Sequence, residues 1–432
     1  MVGTGVFTSL GFQAAEIRSP GVLLLIWLFG GVFSLCGALS YAELSTALPR
    51  SGGEFNFLSR IYHPAIGFMA GWASVIVGFA APLALASMAF GKYCAAAIPG
   101  VSPLLASIAV TLIASMAHAF RLQFGATFQN TFTSLKLLLI LGFIVAGMGS
   151  PHAVNLLPKA GDLPQALGAP FAISLIYVMF AYSGWNASVY IAQEVSNPKR
   201  NIPRSLFIGT LLVTILYVAL NAIFLLTTPL GELAGQLEVG ALSAKHIFGQ
   251  IGGRLVSGLV ALALISSISA MTWAGPRVWQ VMGEDYSNLR ILAKKSATGI
   301  PVTAILVQLA IVVLLLVTST FEVVLVYTQF TLNLCALLTV LGVFILRRTQ
   351  PALERPYRVW GYPFTPLAFL LIIAATMLYF IGTKPLESLA GLITLGIGFL
   401  LYLFSPRTNG AQFASLISAR TVSTTHEHQS DI

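Results

Sequence analysis

The chain has 432 residues, of which 57% are hydrophobic and 9% are charged, and its mean hydropathy is +0.87. Soluble domains carry about 25% charged residues, so this composition excludes an ordinary soluble protein and indicates an integral membrane protein. The formal net charge of +9 does not imply a nucleic-acid partner, because the basic residues lie in short segments between apolar stretches, where they set membrane topology.

Apolar stretches of about 20 residues recur along the whole chain, the length that a helix needs to cross a lipid bilayer. We therefore predict membrane-spanning helices rather than barrel strands. Cys36, Cys94 and Cys335 lie within or beside these stretches without paired spacing, so neither a disulfide framework nor a metal site is predicted. The sequence has no nucleophile elbow, phosphate loop or zinc signature, and we predict a protein that is not an enzyme and needs no cofactor.

Twelve spans are predicted, over residues 1–14, 20–48, 65–94, 103–120, 124–148, 167–192, 205–228, 250–279, 301–317, 323–346, 364–381 and 389–404. The first span is short, because its residues extend only about 21 Å as a helix against a hydrocarbon core of roughly 30 Å. Either the start is assigned late or the chain is truncated, and we favour a late start. Residues 1–404 are predicted to form one transmembrane domain, and residues 405–432 a disordered cytoplasmic tail.

Basic residues predict the orientation of the spans. Of the 23 lysines and arginines, 16 fall in segments that this topology makes cytoplasmic, six in external segments, and Lys136 lies within a span. Basic residues favour the cytoplasmic side, so both chain ends are predicted to be cytoplasmic. The segment 229–249 is predicted to be an external loop that folds over the mouth of the protein.

Two spans carry interruptions that disfavour a continuous helix. One is Met1–Phe7, with Gly3 and Gly5, and the other is Phe180–Asn186, with Ser183, Gly184, Trp185 and Asn186. Backbone groups freed by a break must be satisfied by a ligand or by solvent. The amides of Thr4, Gly5 and Val6 suit a carboxylate, and the carbonyls around Val2 and from Phe180 to Ser183 suit an ammonium group. Such a pair of interrupted spans indicates a transporter substrate site, whereas the alternative is glycines that serve helix packing alone.

Lys136 lies near the predicted bilayer centre, where a charged group is costly unless it is paired or neutral. It is predicted to be either a proton carrier or a fixed cation bonded to carbonyls, and the alternative is a lysine that extends along its stem towards the membrane surface, which its depth disfavours. Glu43 and Glu194 lie near the predicted cytoplasmic ends of their spans. They are interpreted either as interfacial carboxylates paired with loop arginines or as parts of a proton relay. Ser266, Ser267 and Ser269 could donate hydrogen bonds within the bundle or only to their own backbone.

Several motifs occur in the order that is typical of one transporter family. They are Gly-Thr-Gly-Val-Phe at 3–7, Tyr-Ala-Glu-Leu at 41–44, Pro-Arg-Ser-Gly-Gly-Glu at 49–54, Phe-Ala-Tyr-Ser-Gly-Trp-Asn at 180–186 and Asn-Pro-Lys-Arg-Asn-Ile-Pro at 197–203. Through these motifs the chain resembles the amino acid–polyamine–organocation family over about residues 1–350. The motif at 180–186 is most similar to the branch of L-type amino acid transporters and bacterial permeases.

The resemblance implies an all-α LeuT-type fold with broken helices 1 and 6. Its inverted repeats would be residues 1–150 and 165–348, with peripheral helices in 363–404. The first break would bind the substrate carboxylate and the second its amino group. Phe180 would gate the bound side chain, and Trp185 and Asn186 would shape the pocket wall. Lys136 would stand where sodium-coupled relatives hold an ion, bonded to helix 1 carbonyls and to Ser267.

The implied function is a sodium-independent amino acid transporter of the plasma (bacterial inner) membrane that works by alternating access. It would act as an exchanger or as a proton-coupled symporter, with an amino acid substrate, protons and the lipid bilayer as its partners and no nucleic acid. One alternative is a polyamine or modified-amine transporter of the same fold. It is disfavoured because Lys136 is the only ionisable residue found at mid-depth in the spans expected to line the site. Another is a non-transporting sensor or partner subunit. The sequence leaves the preferred side chain and the oligomeric state open.

Overall fold

The computed structural model describes residues 2–120, 126–149, 154–296 and 299–406. These residues form helices and connecting segments, and no β-strand occurs among them. The α-helices are α1 Gly5–Glu16, α2 Pro20–Ala47, α3 Glu54–Ile61, α4 Pro64–Ala73, α5 Ala81–Ala97, α6 Pro103–Ala119, α7 Ala126–Gly147, α8 Leu163–Leu167, α9 Ala169–Tyr182, α10 Ala187–Tyr190, α11 Pro198–Thr227, α12 Leu230–Leu233, α13 Val239–Asp285, α14 Arg290–Ala293, α15 Val302–Thr318, α16 Phe321–Thr349, α17 Phe364–Thr383 and α18 Pro385–Leu403.

Eight helical segments of the described residues are long and apolar enough to cross a membrane. Three shorter apolar helices, α6, α9 and α15, and the twelve-residue α1 occupy the positions of the other predicted spans. The order of elements therefore follows the twelve predicted spans, while a count of twelve crossings stays a prediction. Most of the predicted tail, 407–432, lies outside the described residues.

Local sequence explains where several helices begin. The Ser19 side chain accepts a hydrogen bond from the Val22 amide, and Pro20 occupies the first turn of α2. Ser102 and Pro103 repeat this arrangement at α6, and Thr320 caps α16 by accepting from the Val323 amide. A hydroxyl at the N-cap satisfies one of the amides that a helix start leaves without a carbonyl, and proline there loses no hydrogen bond.

The predicted external loop at 229–249 is largely helical, so that prediction is corrected. It contains α12 and the first ten or so residues of α13, which bends at Gly249, where φ is +73°. The Gly235 amide donates to the Gly11 carbonyl at 2.8 Å, so the segment packs on α1. This contact joins residues far apart in the chain, so no local pattern could have shown it.

Two interruptions divide long apolar runs. A π-helical segment, Ser74–Ala80, separates α4 from α5 and was not predicted. The predicted break between Tyr182 and Ala187 separates α9 from α10. The π-helical segment is mostly buried, whereas Gly184 in the second interruption is exposed.

Helix α1 lies in the interior, with α9 along one side. A polar network also fixes it: the Trp27 indole donates to the Gln13 amide oxygen at 2.9 Å, and the Tyr182 hydroxyl donates to the Trp27 carbonyl at 3.0 Å. Because lipid offers helices little hydrophobic driving force to associate, close packing and such hydrogen bonds hold the bundle together.

The tightest approach of α1 to α9 generates a test. A Cβ atom added at Gly5 would lie 2.3 Å from the Ala181 Cα atom, whereas one added at Gly142 in α7 would meet nothing within 4 Å. We expect Gly5→Ala to lower the free energy of unfolding by about 1–3 kcal/mol, because α1 must move away from α9. Gly142→Ala is the matched control and should cost nothing, since alanine favours helix. Thermal unfolding of the purified protein in detergent measures both, and equal midpoints would contradict the packing.

Candidate functional site

The first break precedes α1. Val2 and Gly3 lie outside the helix, and Thr4 is the N-cap of α1, which begins at Gly5 without a side-chain cap. The Thr4 carbonyl accepts from the Phe7 amide at 3.0 Å and from the Thr8 hydroxyl at 3.1 Å. The first amides of the helix have no carbonyl one turn earlier to bond, so this end carries donors and the positive end of the helix dipole.

The second break lies between α9 and α10. The chain leaves the helix at Ser183, whose ψ is 154°, and Gly184 has a φ of +84°, a conformation that favours glycine. The Ser183 amide donates to the Phe180 carbonyl at 2.9 Å, and the Ala187 amide donates to the Gly184 carbonyl at 3.2 Å. These turn bonds leave the carbonyls of the last turn of α9 without their usual helical donors.

The two breaks lie against each other. Gly5, at the start of α1, touches Ala181, in the last turn of α9. One turn further along, the Ser9 hydroxyl donates to the Tyr177 carbonyl at 3.1 Å. A helix start that offers amides therefore lies next to a helix end that offers carbonyls, which is an arrangement able to hold the two ends of a zwitterion.

Phe180 is buried beside this junction and makes an edge-on contact with Phe321, with ring centroids 6.3 Å apart. Phe321 in turn stacks on Phe12 at 6.0 Å. The aromatic ring predicted to gate the site thus belongs to a row of rings that α1, α9 and α16 supply.

Lys136 reaches the first break from α7. Its Nζ atom donates to the Val2 carbonyl at 3.1 Å and to the Ser267 hydroxyl oxygen at 2.7 Å, and the Ser267 hydroxyl lies 3.5 Å from the same carbonyl. The lysine is 6% exposed. These are the helix 1 carbonyl and the helix 8 hydroxyl that the resemblance implies, while a role in coupling stays a prediction. Ser266 bonds the Ala263 carbonyl, and Ser269 bonds His118.

A cavity of 60 Å³ lies beside the second break. Ser183, Gly184, Trp185 and Asn186 line it, but no residue of the first break does. Its remaining walls come from α2, α3, α9, α16 and α17 through Phe33, Ser34, Glu54, Met179, Gln329, Leu332, Asn333, Ala336 and Phe369. By the volume that one ordered water requires, it has room for a few waters or a small polar group.

Sequence reasoning missed Glu54, which lies between two spans yet lines this cavity. It is 2% exposed, and its Oε1 atom accepts from the Tyr41 hydroxyl at 2.6 Å. Burial raises the pKa of Glu54 to about 7, and the neighbouring hydroxyls of Tyr41 and Tyr190 oppose the shift. The available signal was the Gly52-Gly53-Glu54 turn: both glycines have positive φ values and direct the start of α3 inward. The prediction from the sequence considered the spans alone, whereas Glu54 brings a carboxylate to this cavity from a connecting turn.

Glu43 is also buried, but two arginines surround it. Its carboxylate accepts two hydrogen bonds from Arg347, at 2.8 and 2.6 Å, and one from the Val359 amide at 2.8 Å, and Arg355 lies 3.7 Å away. The geometry matches the interpretation as a carboxylate paired with arginines, and it ties the end of α2 to the end of α16. The side chain of Glu194 lies outside the described part of the structure.

A family model described as amino acid permease matches residues 1–402. The chain is 29% identical over 392 residues to the mouse b(0,+)-type amino acid transporter 1, an alignment that covers 88% of this chain and 79% of the relative. It is 26% identical to the mouse Asc-type amino acid transporter 1, in an alignment that covers 93% of this chain and 78% of the relative. It is 28% identical to the serine/threonine exchanger SteT of Bacillus subtilis strain 168, in an alignment that covers 85% of this chain and 84% of the relative.

The Glu43 cluster generates a test of stability. Removing one member of a buried, hydrogen-bonded ion pair costs about 3–5 kcal/mol, because the remaining charges lose their partner. We expect Glu43→Gln to lower the thermal unfolding midpoint strongly. The matched control is Glu354→Gln, at an exposed carboxylate 3.4 Å from Lys199, which should change stability by less than about 1 kcal/mol. Equal midpoints for the two variants would show that the Glu43 cluster contributes no more than a surface ion pair.

Proposed function

This chain belongs to the amino acid permease family, and we propose that it carries amino acids across a membrane without sodium, as an exchanger or as a proton symporter. The protein would work by alternating access, with the two broken helices moving against a scaffold. The proposed fold is LeuT-type, with inverted repeats at 1–150 and 165–348 and peripheral helices at 363–404. We further propose the plasma (bacterial inner) membrane as its location, with both termini cytoplasmic.

The contact between Gly5 and Ala181 carries this proposal. It supports a site in which the amides of Thr4, Gly5 and Val6 receive the substrate carboxylate. The carbonyls of the last turn of α9, from Phe180 to Ser183, would receive the ammonium group. A free amino acid carries its carboxylate and ammonium groups on the same α-carbon. A helix start beside a helix end can therefore bind both groups without an ionisable side chain.

The position of Lys136 supports sodium independence. Its ammonium group already bonds the Val2 carbonyl and the Ser267 hydroxyl, which are oxygen ligands that a sodium ion would need. A second cation within about 4 Å would meet repulsion of several kcal/mol at the effective dielectric constant of a protein interior. The lysine would therefore hold the first break in place in the role that an ion fills elsewhere, and changes in its protonation would couple transport to protons.

A second candidate is transport of a polyamine or modified amine, and Glu54 favours it. A substrate with an additional cation needs an acceptor for that charge, and Glu54 supplies a carboxylate that lines the cavity beside the second break. The two candidates share the fold and the family and differ in the group that enters this cavity.

Counterflow tests the function directly. Liposomes that contain the protein and are loaded with one unlabelled amino acid should accumulate labelled amino acid from outside, in buffer without sodium. A panel of the twenty amino acids and a diamine would identify the substrate class. Absence of uptake under both an amino acid gradient and a proton gradient would overturn the proposal, and uptake of the diamine alone would select the second candidate.

Substitution at Lys136 tests its proposed role. We expect Lys136→Ala to lower counterflow by at least roughly tenfold, because the first break loses a charge-assisted hydrogen bond. Ser267→Ala keeps the cation and should cost less. Lys92→Ala, at an exposed position of α5, is the control and should leave the rate unchanged. If Lys136→Ala retained the rate and pH dependence of the wild type, the coupling role would be refuted.

A further inference from the structure

Glu54 combines three features that the proposed transport cycle does not use. It is buried, it lines a cavity, and its Oε2 atom has no hydrogen-bond partner. A buried carboxylate normally accepts several hydrogen bonds or pairs with a cation, because burying an unpaired charge is costly. Glu54 therefore differs from Glu43, whose two oxygens are both occupied.

The groups that face Glu54 carry no formal charge at neutral pH. They are the Tyr41 hydroxyl from α2, the Asn186 amide at 3.5 Å from the second break, the Tyr190 hydroxyl from α10 and the Cys335 thiol from α16. Tyr190 also bonds Ser74 of the π-helical segment at 3.4 Å. No lysine, arginine or histidine of the described residues forms an ion pair with Glu54.

The cavity also holds a second acceptor that lacks a donor. The Gln329 side chain donates to Asn333 through its amide nitrogen, while its Oε1 atom has no partner. Glu54 Oε2 and Gln329 Oε1 are thus two acceptor atoms in the wall of one cavity that lack hydrogen-bond donors, so a donor group there would satisfy them. A proton on the Glu54 carboxyl converts one acceptor into a donor and removes the unpaired charge.

We propose that Glu54 is a proton-binding site whose charge state is linked to the conformation of the second helix break. This inference deepens the proposed transport function and rests on it. The proton would be taken from hydronium or buffer in the bulk solvent and returned there, with water in the cavity only conducting it, so no other group of the protein changes its charge. A proton would be bound when the cavity is closed and released when solvent or a donor group of the substrate reaches the carboxylate.

Two contacts link the carboxyl to the break. Asn186, the residue before α10, donates to the same Oε1 atom that Tyr41 bonds. The Tyr41 ring meets the Trp185 ring edge-on, with centroids 4.8 Å apart. A change of charge at Glu54 therefore alters the hydrogen bonds that hold the start of α10 against α2 and α3, which is the part expected to move.

The first experiment does not depend on transport. The pKa of Glu54 is raised by burial to about 7 from its ordinary value of 4.5, so the folded protein binds a proton there that the unfolded chain has lost. Stability contributed by this group is therefore complete below about pH 4.5 and is lost as the pH rises through 7. We expect the thermal midpoint of Glu54→Gln, relative to wild type, to rise between about pH 5 and 8.

The dependence on pH of the difference in thermal midpoint between variant and wild type distinguishes proton binding from a purely structural role. Glu354→Gln, which removes an exposed carboxylate, should show no such trend. A purely structural role of Glu54 would shift the midpoint by the same amount at every pH, and that result would overturn the proposal. Tyr41→Phe removes a donor to the ionised form and should move the transition upward by roughly one pH unit.

The second experiment measures counterflow between about pH 5 and 8. We expect the wild-type rate to change severalfold across this range and the rate of Glu54→Gln to vary much less, with Glu354→Gln following the wild type. If the wild type transported amino acids and Glu54→Gln showed the same dependence of rate on pH, this inference would be overturned while the transport function stood. Loss of uptake of cationic substrates alone in that variant would also overturn it, in favour of a subsite for a substrate cation. If the wild type transported nothing, the transport function would fail, and the thermal titration would still decide whether Glu54 binds a proton.

Discussion

The close approach of Gly5 to Ala181 is the constraint on which the rest of the site depends. Without a side chain at residue 5, the start of α1 can touch the end of α9, so free amides and free carbonyls come together inside a membrane protein. Any larger residue would separate the two breaks, and each would then need another partner for its unpaired groups. The Lys136 bond to Val2 holds the same junction from the side of α7.

Three buried ionisable groups of the described residues have three different environments. Lys136 bonds a carbonyl and a hydroxyl, Glu43 has two arginines and a backbone amide, and Glu54 has neutral donors on one oxygen alone. A buried charge with full pairing is strongly held, whereas one with partial pairing gains from binding a proton or a donor. This contrast separates a group that ties helices together from one suited to change its charge during a transport cycle.

Much of the architecture was predictable because its signals are local. Runs of about 20 apolar residues marked the helices, and Ser19-Pro20 and Ser102-Pro103 marked two of their starts. The break at Ser183–Asn186 was visible as glycine and poor helix formers within an apolar run. The helical character of 230–249 was not visible, because its packing on Gly11 is long-range. The π-helical segment Ser74–Ala80 has no distinctive composition and was missed for a similar reason.

The sequence by itself determined the membrane class, the order of the helices, the two breaks and the candidate residues at each, because hydropathy, helix-breaking residues and family motifs are read along the chain. Tertiary structure alone decided that Gly5 faces Ala181, that Lys136 reaches Val2 and Ser267, and that Arg347 and Arg355 surround Glu43. It also brought Glu54 from a connecting turn into the cavity beside the second break. Each of these results joins residues more than a hundred positions apart or depends on a turn direction, so the physical cause is packing, which a linear pattern does not contain.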